Sequence, residues 1–203
     1  MKNTISNTRK RNILVNGVGV NDFEGRVNVA GKSLPEYSVW KSMLQRCYAK
    51  KSQGQNPAYV GCSVAEEWYS FSNFYRWLHQ NNWEKGLHID KDLLIEGNKV
   101  YGPDTCCLVP QAINKLLLDS ARARGSYPQG VSFHKLAGKY LAKVSENGKL
   151  KHLGYFNTIE EAERAYKDAK AIVILNTVSD HIGRLTQPTI DALVSKALLL
   201  RCV

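Results

Sequence analysis

Between Leu87 and Asn114 the chain gathers acidic, basic and amide side chains in one short segment: His88, Asp90, Lys91, Asp92, Asn98 and Asn114. Carboxylate and amide oxygens are hard ligands. Asp90 and Asp92 are the candidate holders of one Mg²⁺ or Mn²⁺, with water and a phosphate oxygen completing the shell. A metal so held stabilises the charge that develops on a phosphodiester under attack, while a base activates the water. Asp90 and Asp92 lie two residues apart and would share one face of an extended strand, with Lys91 on the other. A structural ion pair among Asp90, Lys91 and Asp92, pinning the segment, is the alternative. A protonated lysine is a poor base unless burial lowers its pKa. His88, on the same strand, is therefore either the substitute base or an ordinary surface strand residue.

The elements that must position these groups read strand, turn, strand, turn, helix. Ile89 and Leu93-Leu94-Ile95 are β-formers, and Glu96-Gly97-Asn98-Lys99 is a turn. Val100-Tyr101 returns as the second strand, and Gly102-Pro103-Asp104-Thr105 turns again. From Val109 or Pro110 the spacing of Ile113, Leu116 and Leu117 predicts a helix. Upstream, Tyr37, Trp40, Met43, Leu44 and Cys47 recur at helical spacing over 35–50. Lys50 to Tyr59 reads as a polar loop. A second helix is expected over 65–79, with Trp68, Phe71, Phe74, Tyr75 and Leu78 as its apolar stripe. Trp83 is placed to cover the base of the hairpin.

This order and these residues resemble the HNH endonuclease family in the divergent form carried by bacteriophages. The resemblance runs from about Tyr37 to Leu118. Its pieces are YSVWKSMLQRCY at 37–48, EEWYSFSNFYRWL at 66–78, IDKDLLIEGNKVYGPDTC at 89–106 and Asn114. It implies a ββα hairpin with a strand ending in Asp-His, the His acting as general base. A middle Asn and a helix residue on the metal complete the pattern. Asp90 matches the Asp, Asn98 the middle Asn and Asn114 the helix position; Lys91 stands where the family has its base. The resemblance therefore implies two functions: metal-dependent hydrolysis of DNA by a homing endonuclease, or DNA binding on a scaffold that has lost catalysis. A third reading, inhibition of a host protein by the basic surface, belongs to a different class.

The C-terminal half has its own pattern. Val131 to His134, Lys139 to Val144 and Lys151 to Phe156 read as three strands, with Asn147-Gly148 as a hairpin turn. Thr158 and Glu161 form a capping box ahead of a helix faced by Ala162, Ala165, Tyr166 and Ala169. The stretches GVSFHKLAGKYLAKV, LGYF and AYKDAK resemble the APETALA2-type DNA-binding domain over about 45 residues. The resemblance implies that a three-stranded sheet enters the major groove of double-stranded DNA, which is wide enough for it. The candidate DNA contacts are Arg122, Arg124, Ser132, His134, Lys135, Lys139, Lys143, Lys149 and Lys151. Lysine contacts phosphate as a point charge more than it reads guanine. Glu160, Glu161 and Glu163 fall on the helix, away from that face.

The formal net charge of +10 over 203 residues favours a polyanionic partner. No apolar run is long enough for a membrane span. The polar, basic opening, with Arg9-Lys10-Arg11, has no signal core, so secretion is not expected; the phage resemblance then implies the cytoplasm of a bacterial host. The five cysteines (47, 62, 106, 107 and 202) contain no Cys-x-x-Cys pair. Buried free thiols are favoured over zinc, for which Cys47, Cys62 and Cys106 would be the ligands. The expected architecture is α+β: a basic arm at 1–34, a helical scaffold with its HNH-like ββα hairpin at 35–120 and a linker at 121–129. A three-stranded antiparallel sheet on one helix follows at 130–178. A C-terminal helix at 179–203 carries Ile190, Leu193, Val194, Ala197, Leu198 and Leu200, and is read as docking on its own chain rather than on a second copy.

Overall fold

The computed structural model describes residues 14–117 and 126–202, and the chain is α+β. In chain order it forms β1 (Asn28–Val29), β2 (Lys32–Ser33), α1 (Pro35–Tyr48), α2 (Lys50–Gln55), β3 (Ser63–Val64) and α3 (Phe71–Gln80). There follow β4 (Leu87–Asp90), β5 (Val100–Tyr101), β6 (Cys107–Pro110), α4 (Gln111–Leu117), β7 (Val131–His134), β8 (Lys139–Glu146) and β9 (Lys149–Phe156). Two helices close the chain, α5 (Ile159–Asp180) and α6 (Gln187–Arg201). No described helix is long and apolar enough to cross a membrane.

The chain divides into two units. The first takes the residues through Asn82 together with Gly97–Thr105; the second takes Trp83–Glu96 and everything from Cys106 onward. These limits differ from the expected ones. Instead of standing apart with the N-terminal helices, β4, β6 and α4 fall in the same unit as the C-terminal sheet. The reason is apolar: Cys107, Val109 and Ile113 share one core with Ala171, Ile174 and Val178 of α5 and Leu193 and Ala197 of α6. α6 thus docks on its own chain, as its pattern predicts.

In the first unit, Pro35 opens α1, where its missing N–H costs nothing. Trp40, Met43, Leu44 and Cys47 make the buried face. The helix expected over 65–79 is broken. A short 3₁₀ turn at Glu66–Tyr69 precedes Ser70, whose hydroxyl accepts the N–H of Asn73 and starts α3 at Phe71. The break lets Trp68 pack edge-on to Phe74 at 5.1 Å, while Trp40 Nε1 donates to the Trp68 carbonyl at 2.7 Å. Where a polar loop was expected after Lys50, the chain makes α2 and a 3₁₀ turn at Pro57–Tyr59.

The expected basic arm is, from Val15 onward, part of this unit. Val20 bridges to the strand-like backbone before α3, donating to Tyr69 O at 2.7 Å and accepting from Phe71 N at 3.0 Å. Gly19 is required there, because a Cβ would lie 2.5 Å from Leu44 and 2.8 Å from Trp40. Asp22 accepts from Ser70 Oγ at 2.6 Å and Ser72 N at 2.9 Å, at the start of α3. Burial alone would raise its carboxyl pKa, but these hydrogen bonds outweigh it and hold the group below its ordinary value. Arg9-Lys10-Arg11, like most of the expected linker with Arg122 and Arg124, lies outside the described residues.

In the second unit, β4 pairs antiparallel with β6, Leu87 facing Pro110 and Asp90 facing Cys107. This corrects the expected hairpin. Val100-Tyr101 does not return against Ile89; it pairs parallel with β3 in the first unit. Leu93 and Leu94, read as strand, instead pack their side chains on the α5–α6 core. Trp83 Nε1 donates to Leu87 O at 3.2 Å, at the base of the strand. The C-terminal sheet has the order β7-β8-β9, antiparallel throughout. α5 covers one face, with Ala162 against Val131 and Ala142, and Tyr166 against Val144. The capping box forms as expected: Glu161 N donates to Thr158 Oγ1 at 3.2 Å, and Thr158 N to Glu161 Oε2 at 3.3 Å.

Candidate functional site

Asp90 is the last residue of β4, and its role is set by the turn that follows. Its Oδ1 accepts from Asp92 N and Leu93 N, each at 2.8 Å. Asp92 is therefore off the strand, and the expectation that Asp90 and Asp92 share a strand face is not met. Lys91 is only 6% exposed. Its Nζ donates to Asp92 Oδ1 at 2.5 Å, a contact between two of the three residues of the ion-pair alternative, while Asp90 takes backbone N–H groups instead. His88 is exposed and shares a face with Asp90, as residues two apart on a strand do. Asn114 is half-buried on α4. Asn98 falls in the first unit, where its side chain accepts from Val100 N at 3.0 Å and donates to Val100 O at 2.8 Å.

Asp90 and Asp92, two of the candidate metal ligands, each have one carboxylate oxygen engaged within the protein. One carboxylate oxygen of Asp90 already takes two backbone N–H groups, and an ammonium sits on Asp92. Among the described residues no group of three or more His, Cys, Asp or Glu gathers as a metal cage. None of the five cysteines is joined in a disulfide, and all but Cys202 are buried. Cys107, facing Asp90 across the strands, has its thiol pushed up to about 12, first by burial and then by the nearby carboxylate.

The outer face of the C-terminal sheet is the other candidate. The register places Ser132, Leu141 and Tyr155 in one row and His134 with Lys139 in the next. Lys143 continues that face, as expected, and Leu141 at its centre is buried. A β-bulge lies between Ala142 and Lys143: Ala142 faces Gly154, but Lys143 faces His152. Leu153 is the extra residue of β9, and Gly154 at φ +142° accommodates the kink. The bulge puts His152, not Lys151, beside Lys143. Lys149 and Lys151 turn to the helix side, where Lys151 stands 4.0 Å from Glu146. Their assignment to the outer face is corrected accordingly; they remain exposed at its flank. Spacing could not show this, since an added residue reverses every later position.

Lys135 lies in the β7–β8 turn, exposed. His134 Nδ1 accepts from Ala137 N at 3.2 Å within that turn, and its ring meets Tyr155 edge-on at 5.2 Å. Tyr155, Leu150 and His152 are surface residues that the charge pattern alone did not single out. The one acid of the three strands, Glu146, is directed to the helix side with Lys151, so the described strand residues of the outer face are lysine, histidine, serine, tyrosine and leucine, with no carboxylate. Comparison with protein-family models, with curated proteins and with solved structures finds no match.

Proposed function

We propose that the protein binds double-stranded DNA through the outer face of β7-β8-β9, and that the β4–β6–α4 hairpin is an HNH-like scaffold that does not cut. The observation that carries the first part is the segregation of charge. Lys139 and Lys143 stand on a face without carboxylates, while Glu160, Glu161 and Glu163 lie on α5 behind it. Such a face attracts phosphate from either flank of a groove. Lys139 and Lys143 are the phosphate contacts, with Lys135, Lys149 and Lys151 at the rim. Ser132, His134, His152 and Tyr155 are the groups that reach base edges. The second part is supported by the pairing of buried Lys91 with Asp92, in the position where the family that this hairpin resembles has its base.

One pair of assays tests both parts. A gel shift with EDTA measures binding, and supercoiled plasmid with Mg²⁺, Mn²⁺ or EDTA measures nicking, for the wild type, Asp90→Ala and His88→Ala. Retarded DNA and an intact plasmid under all conditions are expected. Metal-dependent nicking that Asp90→Ala abolishes would overturn the second part and leave the first standing. Absence of any shift at low salt would overturn the first.

A further inference from the structure

The tip of the β8–β9 hairpin, α4 and the middle of α5 enclose a cleft of about 350 Å³, entirely within the second unit. Gln111 and Lys115 line it from α4, Ser145 and Asn147 from the hairpin, Lys170 and Thr177 from α5. Among the described residues that line it, none is acidic. Lys170 is the unusual group. Its Nζ donates to the carbonyl of Leu116, in the last turn of α4, at 2.6 Å. An ammonium carries three hydrogens, and this carbonyl takes one. Burial lowers the pKa of Lys170, so an anion beside it would restore what desolvation removes. Lys115, exposed on the same helix, brings a second positive charge to the cleft. The Gln111 amide of α4 and the Asn147 amide and Ser145 hydroxyl of the hairpin supply further donors suited to a tetrahedral oxyanion, while the Thr177 hydroxyl is spent on the Val173 carbonyl at 2.7 Å.

We propose that this cleft binds a phosphate group, at a place separate from the outer face of the sheet. The group belongs either to a free nucleotide or to a nucleic-acid strand passing the hairpin tip; the chemistry recognised is the same. The test is thermal unfolding of the full chain in pyrophosphate and in a deoxynucleoside monophosphate, against chloride of equal ionic strength. A melting temperature raised by about 3–5 °C at ten times the dissociation constant is expected. Lys115→Gln, which alters an exposed residue, loses at least half of that shift; Lys196→Gln, an exposed charge on α6, keeps it. Lys170→Met loses it as well, and if that variant does not fold, Lys115→Gln decides. A parallel titration with a duplex identifies the source. A several-fold weaker duplex affinity in Lys115→Gln assigns the phosphate to DNA, and unchanged affinity assigns it to a nucleotide. No stabilisation beyond chloride, or equal stabilisation in Lys115→Gln, overturns the proposal. Duplex binding by the wild type is read independently, so failure of the cleft and failure of the sheet are distinguishable.

Discussion

Lys91 Nζ lies 2.5 Å from Asp92 Oδ1, with the lysine buried and the aspartate facing solvent. The pair is therefore asymmetric, and its two halves respond differently to substitution. Asp92→Asn leaves an ammonium inside the protein with a weaker acceptor and is expected to cost about 1–2 kcal/mol. Lys91→Met removes the charge that needed a partner and is expected to stay within about 1 kcal/mol of the wild type. Urea unfolding of the two variants gives the order. Asp92→Asn more stable than Lys91→Met would contradict this account of the hairpin.

On the sheet, Lys139→Ala and Lys143→Ala are each expected to weaken duplex binding for all sequences alike and to lower the salt slope by about one. Lys151→Ala is expected to act less, because the bulge turns its side chain toward Glu146. Fluorescence anisotropy over a range of salt concentrations checks both. Equal losses at all three positions would mean that the register is not what governs contact.

Gly130 has φ +76°, and a Cβ there would lie 2.0 Å from the Tyr166 ring and 2.7 Å from the Lys143 carbonyl. Gly130→Ala therefore meets backbone as well as a ring. A loss of at least about 2 kcal/mol is expected in chemical denaturation, since neither the dihedral nor the neighbours can yield cheaply.

The thiols give a prediction in pH. Cys107 is pushed from its ordinary 9.0 to about 12 in the folded chain. A group raised in this way contributes stability that is complete below the unfolded value and lost as pH climbs through the folded one. Urea midpoints are thus expected to hold to about pH 9 and fall beyond it, and Cys107→Ala should flatten that fall. At pH 8, a thiol reagent should label exposed Cys202 quickly, and the four buried thiols only after denaturant is added.

Much of this was legible because it is local. Thr158 and Glu161 sit three apart and meet across one turn, and the Asn147-Gly148 turn needs only its own two residues. The apolar stripes of α1 and α6 likewise follow from helical spacing. The partner of β4 was not legible. Leu93 and Leu94 are as good a strand as Cys107 to Pro110 until the core of α5 and α6 competes for them. The bulge at Leu153 was hidden for the same reason, since nothing in KLKHLGYF says which residue the neighbouring strand will skip. Likewise the helix break at Ser70 depends on Val20, fifty residues away in sequence, holding the backbone on either side.

The three passages of the chain between its units have a consequence for heredity. The stretch from 97 to 105 completes one unit while both of its flanks complete the other. No single crossover in the gene exchanges either unit whole. A breakpoint at 82 would strip β3 of its parallel partner, and one at 105 would leave β4 without β6. Taking each unit whole from a different parent needs three crossovers, at 82, 96 and 105, so this chain is expected to be inherited as a block more readily than shuffled as modules.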